Sequence, residues 1–265
     1  MSLYFYLPLL CVVVLAAFMT VIWSIARTIK NNSIVDVFWA FNFAIIAAII
    51  YTVADGFYDR KVLVCLLALT WSLRLGTYLT IRVGSHIKVE EGRYKQLREE
   101  WASNLHFKFF VFFQMQGLSN VFLAIPYFLI ALNPEPRLSI LEYIGAGMWL
   151  LSIIGEGMAD YQLARFKKNP ANKGKVCTDG LWNYSRHPNY FFQCMIWVSV
   201  FVFALSSPYG YIAIVCPLVI AYLIFKVTGI PMTEEQSLRS KGEAYRNYQQ
   251  TTSMFIPWFK KTTQS

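Results

Sequence analysis

The chain has 265 residues, of which 56% are hydrophobic, 17% aromatic and only 15% charged, with a mean hydropathy of +0.42. Soluble domains carry about 25% charged residues, so this is the composition of a membrane protein. It excludes a disordered tail, a collagenous or disulfide-stapled secreted module and a nucleic-acid binder, although the formal charge is +9.

A bilayer's hydrocarbon layer, ~30 Å thick, is crossed by about 20 apolar residues in helical form. Seven such stretches are expected, near 3–26, 34–54, 62–82, 107–132, 138–160, 190–206 and 209–229. The last two are separated only by Ser206-Ser207-Pro208-Tyr209-Gly210, a turn that reads as the tip of a helical hairpin. The first stretch lacks a basic start and ends in Trp23 and Arg27 rather than a cleavage site, so it reads as a helix and not a signal peptide. With these ends, twenty of the 24 lysines and arginines fall in the odd-numbered loops and the C-terminal segment. Three, Arg60, Lys61 and Arg137, fall in the even loops, and Arg74 lies inside a span. The positive-inside rule then places the C-terminus in the cytoplasm and the N-terminus outside. The expected fold is an all-α polytopic bundle, one integral-membrane domain over 1–265, in a bacterial inner membrane or an endoplasmic reticulum. Four of the five cysteines lie in apolar spans, and the three histidines have no cysteine or carboxylate at ligand spacing, so neither a disulfide framework nor a metal site is expected.

An ionisable group inside a span is costly unless it faces protein or water, which makes each one a functional candidate. Asp36 and Trp39 share a face at the start of the second span, with Asn42 close by. They read either as a site or as a helix start, with Ser33 and an acidic first turn. Arg74 lies between Trp71 and Tyr78 in the third span and needs an anion, either a bound one or an interhelical carboxylate. Glu90-Glu91-Gly92-Arg93-Tyr94 makes a dense charged turn. Glu156, Asp160, Leu163 and Lys167 lie at spacings of four, three and four, on one face of the fifth span as it leaves the bilayer, where the carboxylates can accept ribose or amide hydrogen bonds and Lys167 can meet phosphate. Thr178 to Tyr190 is the densest segment: Asp179-Gly180 and Pro188 force turns, while Arg186, His187, Asn189 and tyrosines present donors and rings suited to a phosphate-bearing cofactor. After Pro231, Tyr245 and Tyr248 share a helical face and suit a second wall of the same site.

The stretches SIVDVFWAF, WSLRLGTYLTIR, EEGRYKQLREEW and GLWNYSRHPNY, and the tail PMTEEQSLRSKGEAYRNYQQTTSMFIPW, resemble the DUF1295 family over about 33–260. That family is related to the C-terminal domain of steroid 5-alpha reductases and, more distantly, to sterol delta-14 reductases and isoprenylcysteine carboxyl methyltransferases. The resemblance implies an oxidoreductase acting on an activated C=C bond of a steroid-like or other lipid enone, with NADPH held by cytoplasmic loops. Asp160, Lys167, Asp179, Trp182, Arg186, His187, Asn189 and Tyr190 fall where the family's cofactor loop lies, with Tyr245 and Tyr248 as tail contacts. Hydride transfer needs a donor to the substrate carbonyl, for which Tyr78 or Tyr94 are candidates, with Asp36 or Glu91 as orienting carboxylates. Two departures stand out: Gln193 replaces a carboxylate common in relatives, and the second span lacks the Gln-Glu pair of animal steroid reductases. The alternative is an S-adenosylmethionine-dependent membrane methyltransferase, since the Arg-His-Pro segment serves both cofactors; a non-enzymatic lipid-binding protein is a third. The expected partners are the bilayer and a lipid-like small molecule.

Overall fold

The computed structural model describes residues 2–227 and 229–260. Helix dominates, and the sole β pairing among the described residues is an isolated parallel bridge between Ser185 and Ser253. The chain divides into two compact units: one runs to Ser139 and takes in Ser206–Gly210, the other comprises Ile140–Leu205 and the chain from Tyr211.

In the first unit, α1 (Leu3–Ile29), α2 (Ile34–Val53) and α3 (Tyr58–Gly84) are long and apolar. A short polar helix, α4 (Gly92–Glu100), precedes α5 (Leu105–Leu123) and α6 (Ile125–Ala131). The expected stretch 107–132 is thus a pair of helices, bent by 40° at Ala124, before the proline at the start of α6. Polar side chains tie the helices together where a bilayer offers no hydrophobic drive for association. Ser72 donates to the Ala40 carbonyl at 2.7 Å, Asn42 to Asn120 at 2.7 Å, and Asn120 in turn to the Trp39 carbonyl at 2.9 Å. Arg60 is buried, and its guanidinium donates to the carbonyls of Asn133 (3.1 Å), Glu135 (2.6 Å) and Arg137 (2.6 Å), so it organises the loop after α6.

In the second unit, α7 (Ile140–Lys168) packs along α8 (Pro188–Ala204). A Cβ at Gly145 would stand 2.8 Å from the Ser199 carbonyl and the Phe203 nitrogen, so the two backbones meet there without a side chain between them. After α8 come a 3₁₀ stretch Gly210–Ile214, α9 (Val215–Tyr222) and a π turn Leu223–Val227. The polar helices α10 (Ile230–Lys241) and α11 (Glu243–Thr251) complete the unit.

Each expected span is helical, but not each is long and apolar enough to cross a bilayer. Leu3–Ile29, Ile34–Val53, Tyr58–Gly84 and the apolar first part of Gly210–Lys241 qualify, and the bent α5–α6 pair makes a fifth. The 17 residues of α8 reach only about 25 Å at 1.5 Å each. Helix α7 is long enough, but it buries Glu142, Glu156 and Asp160 while exposing Leu150, Leu151, Ile154 and Met158. A polar inner face with an apolar outer one is what a lipid-facing helix presents, and the chain is a multi-pass membrane protein.

Arg60→Ala removes a buried guanidinium and its three bonds to the carbonyls of Asn133, Glu135 and Arg137, and at about 0.5–1.5 kcal/mol for each bond it is expected to lower the unfolding temperature measured in detergent by several degrees. An unchanged transition would show that the α6–α7 loop is held by something else.

Candidate functional site

The segment expected to hold a cofactor is built around one carboxylate in the second unit. Glu234, one turn into α10 and beyond the apolar stretch, accepts from Arg186 Nε at 2.7 Å and His187 Nε2 at 3.0 Å on Oε1, and from Gln249 Nε2 at 2.8 Å on Oε2. Burial pushes Glu234 up, but the hydrogen bonds from His187, Arg186 and Gln249 and the Arg186 charge outweigh it and hold the carboxyl at about 2. The rest of the Arg186 fork serves the tail: Nη1 donates to the carbonyls of Gln249 (2.9 Å) and Thr252 (2.8 Å). His187 stacks on Tyr190 at 5.5 Å and 11°, as their spacing across the start of α8 allows, and Tyr190 meets Thr233 at 3.2 Å.

Around this knot the backbone is stitched at several points. Arg186 N donates to Ser253 O at 2.8 Å, Trp258 N to Tyr184 O at 2.9 Å, and Ser185 Oγ to Phe255 O at 2.7 Å. Tyr248 donates to the carbonyls of Trp182 and, at 3.2 Å, Ser185, while the Trp182 indole reaches back to Ala159 O at 2.9 Å. Burial raises the Tyr248 hydroxyl far above its ordinary range, and burial with the nearby Glu234 charge pushes Tyr245 up to about 12, so both keep their protons. Tyr245 lies 3.5 Å from Glu234. The structure thus gathers Trp182, Arg186, His187, Tyr190, Tyr245 and Tyr248 into one frame. Ser185, Gln249 and Thr252 belong to it as well, though no side-chain pattern marks them, because much of the bonding runs to main-chain carbonyls.

The antiparallel pair α7–α8 adds two rungs. Asn189 donates to Asp160 at 3.4 Å, and with its amide oriented to satisfy both neighbours, Gln193 donates to Glu156 at 2.7 Å and accepts from the Trp197 indole at 3.1 Å. Gln193 is therefore an amide facing a buried carboxylate, which explains its place in this chain.

Two clefts border the frame. One, of about 540 Å³, is lined by Tyr161, Arg165, Phe166, Asn172, Asp179 and Gly180. Gly180 has φ +55°, a turn favouring glycine, and Gln162 fixes it by accepting from Leu181 N at 2.9 Å. Lys167 is exposed nearby on α7. Burial and the Lys167 charge push the Lys241 ammonium down, so these two cations stand close to each other. The second cleft, of about 570 Å³, lies between Arg186, Gln249 and Thr252 and the apolar Met254, Ile256 and Trp258.

The first unit brings together the other candidates. The Tyr94 hydroxyl donates to Asp36 Oδ1 at 2.8 Å and accepts from Arg93, which also pairs with Asp36. Tyr94 is fully buried, and burial and the Asp36 charge raise it well above its ordinary range. Glu91 pairs with Arg82 at 3.1 Å, and Tyr78 packs half-buried against the apolar cluster of α1, α2 and α5. Ser33 takes the N-cap position of α2, one of the two readings open for this helix start, but without a side-chain cap bond: its hydroxyl accepts from Glu91 N at 2.9 Å and so latches the charged turn to α2. Glu90 completes that latch, taking both Asn32 donors at 2.8 Å and the Arg98 fork at 2.8 and 3.0 Å. Burial raises its carboxyl, but the Arg98 and Asn32 hydrogen bonds prevail and lower it.

These features define a polytopic helical protein with a polar, cation-bearing frame attached to its second unit. The DUF1295 family, described as a protein of unknown function, matches residues 22–252, and the chain belongs to it. An uncharacterized protein, C594.04c, of Schizosaccharomyces pombe (strain 972 / ATCC 24843) is 26% identical over 274 aligned residues, covering 89% of this chain and 76% of that protein. No solved structure matches.

Glu234→Gln keeps the shape of the knot but removes its charge, leaving Arg186 buried without its counter-ion. A loss of about 3 kcal/mol or more is expected, read by thermal unfolding. The group is depressed in the folded chain, so its contribution is complete above its ordinary pKa of about 4.5 and is lost as pH falls toward about 2. Wild type should therefore lose stability more steeply than Glu234→Gln over that acid range; parallel curves would mean that Glu234 is not the coupled group. Gln193→Glu sets a second carboxylate against Glu156 and should lower the unfolding temperature, whereas an increase would contradict the amide–carboxylate rung.

Proposed function

We propose that this protein is an integral-membrane reductase that uses NADPH to reduce an activated C=C bond in a lipid-like enone. What carries this reading is a contrast within the second unit: Arg186 and His187 are bonded to Glu234 and, through Arg186 Nη1, to the tail, while the cleft beside Asp179 is lined by Arg165, with no counter-ion among the described residues. Among the described residues, neither Arg165 nor Lys167 has an ion-pair partner.

That donor set fits a phosphorylated dinucleotide. Arg165, with Lys167 and Lys241, would meet phosphates, including the extra phosphate that separates NADPH from NADH. Asp179 would accept from ribose hydroxyls, and the rings of Tyr161 and Phe166 offer faces for the base. The frame behind them keeps the cleft's wall rigid, which lowers the ordering cost of binding. When bound, the dihydronicotinamide supplies hydride. A lipid enone also needs a donor to its carbonyl oxygen, and Tyr94, oriented by Asp36, is the hydroxyl suited to it. Tyr94 would exchange one of its present partners, Asp36 or Arg93, for the substrate oxygen. Arg186 is then a positioning residue, and its removal tests folding more than cofactor affinity.

The experiment is thermal unfolding of the detergent-purified protein with NADPH, NADH and S-adenosylmethionine. A ligand bound only by the folded state adds about 2.7 kcal/mol at a hundred times its Kd. NADPH is expected to stabilise more than NADH, and Arg165→Ala with Lys167→Ala should remove most of that difference while leaving the unliganded transition unchanged. Stabilisation by S-adenosylmethionine alone would replace this reading with methyl transfer, and silence from all three would point away from either cofactor. Tyr94→Phe should keep the NADPH shift and lower enone turnover by about 10²-fold or more; unchanged turnover would remove Tyr94 from the chemistry.

A further inference from the structure

We infer that the first unit carries a specific site for the phosphate headgroup of an anionic membrane lipid, where the end of α1 meets the start of α5. It is independent of the proposed reaction and lies wholly within the first unit. The observation is a cavity of about 300 Å³ whose wall includes Arg27, Lys30, Arg98 and His106, with Trp23 and Phe109 among its apolar residues and no carboxylate among the residues that line it.

The charges there are unevenly compensated. Arg98 is bound to Glu90 through both Nε and Nη2, and its guanidinium lies over the Phe109 ring at 5.9 Å. Arg27 lies over Trp23, also at 5.9 Å, and among the described residues neither Arg27 nor Lys30 has an ion pair. Cations in the last turn of α1 also complement its dipole, but that role requires neither a cavity nor a histidine opposite. Two uncompensated cations, Arg27 and Lys30, on a concave space with a donor-bearing ring suit a compact oxyanion, and phosphate is the commonest such group at a membrane surface.

The surroundings favour a lipid over a free ion. The cavity sits where the apolar run of α1 gives way to Trp23, Arg27 and Lys30, the residue types that mark the bilayer interface. Next to its lining residues in the chain, Ile29 is 42% exposed and Phe107 is 60% exposed. Acyl chains can lie along these side chains while the headgroup enters the basic cavity. Trp23 packs edge-on against Phe110 at 5.2 Å, which stiffens that wall.

The test uses the full chain in nanodiscs and in a zwitterionic detergent. Arg27→Gln and Lys30→Asn are combined because both positions are exposed and asparagine tolerates the left-handed conformation of Lys30, φ 57°. Lys173→Gln with Lys175→Gln removes the same charge from the second unit as a control. Lipid retention is read by native mass spectrometry with mixed phosphatidylglycerol and phosphatidylcholine, and unfolding temperature is read with inorganic phosphate alone. At about 1 kcal/mol per surface cation, the wild type and the control should prefer one phosphatidylglycerol by roughly tenfold to thirtyfold more than Arg27→Gln/Lys30→Asn does, with all three unfolding alike in detergent. An equal loss in the control would make the preference a property of overall charge and overturn the site. So would equal preference in all three proteins. Stabilisation by millimolar inorganic phosphate to the same degree as by phosphatidylglycerol would overturn the lipid assignment in favour of a soluble oxyanion.

Discussion

The second unit depends on one half-buried carboxylate. Glu234 receives Arg186, His187 and Gln249 together, and through Arg186 the same interaction fixes the carbonyls of Gln249 and Thr252. An ion pair taken out of water gains little unless its remaining donors and acceptors are also satisfied. Here Arg186 Nε and Nη1, His187 Nε2 and both Glu234 oxygens are bonded, and the consequence is a loop of turns, Gly180 to Pro188, that is tied to α10 and the tail although it contains little regular structure. The helix α8 starts from that piece, and α10 and α11 fold back onto it.

That internal bonding changes how the Arg-His-Pro segment reads. An arginine and a histidine before a helix suggest free donors for a phosphate, but here both face a carboxylate of their own chain. The cations without an ion pair among the described residues are less conspicuous: Arg165 and Lys167 near the end of α7. Bonded frame and unpaired cations are thus separate sets of residues in the second unit. The same separation holds in the first unit, where Arg98 and Glu90 latch loops while Arg27 and Lys30 stay unpaired beside a cavity.

Polar residues inside the apolar helices follow the same logic. Glu156 and Asp160 are four apart on α7, and Gln193 and Asn189 are four apart on α8, so antiparallel packing lays one pair against the other as two rungs. In the first unit Asn42, Asn120 and Ser72 act likewise. Each is a group that lipid would penalise, placed where a neighbouring helix supplies its partner.

How much of this was legible beforehand depended on whether the information is local. Apolar runs of membrane length give the helices, because backbone groups in hydrocarbon must bond within their own segment, so all seven stretches are helical near their expected positions. Local spacing also singled out Arg186, His187, Tyr245 and Tyr248, and it placed Asp36 and Tyr94 among the candidates. What the chain order could not express is which acceptor each donor finds: that Glu234, 48 residues from Arg186, closes the knot, that Ser33 latches Glu91 rather than capping α2, or that Gln193 answers Glu156. Nor could it show that the 107–132 stretch breaks at Ala124 or that α8 stops at 17 residues. Helix formation is decided by neighbours three and four residues away, whereas pairing of buried charges is decided by whatever packing brings within 3 Å, and only the folded chain determines that.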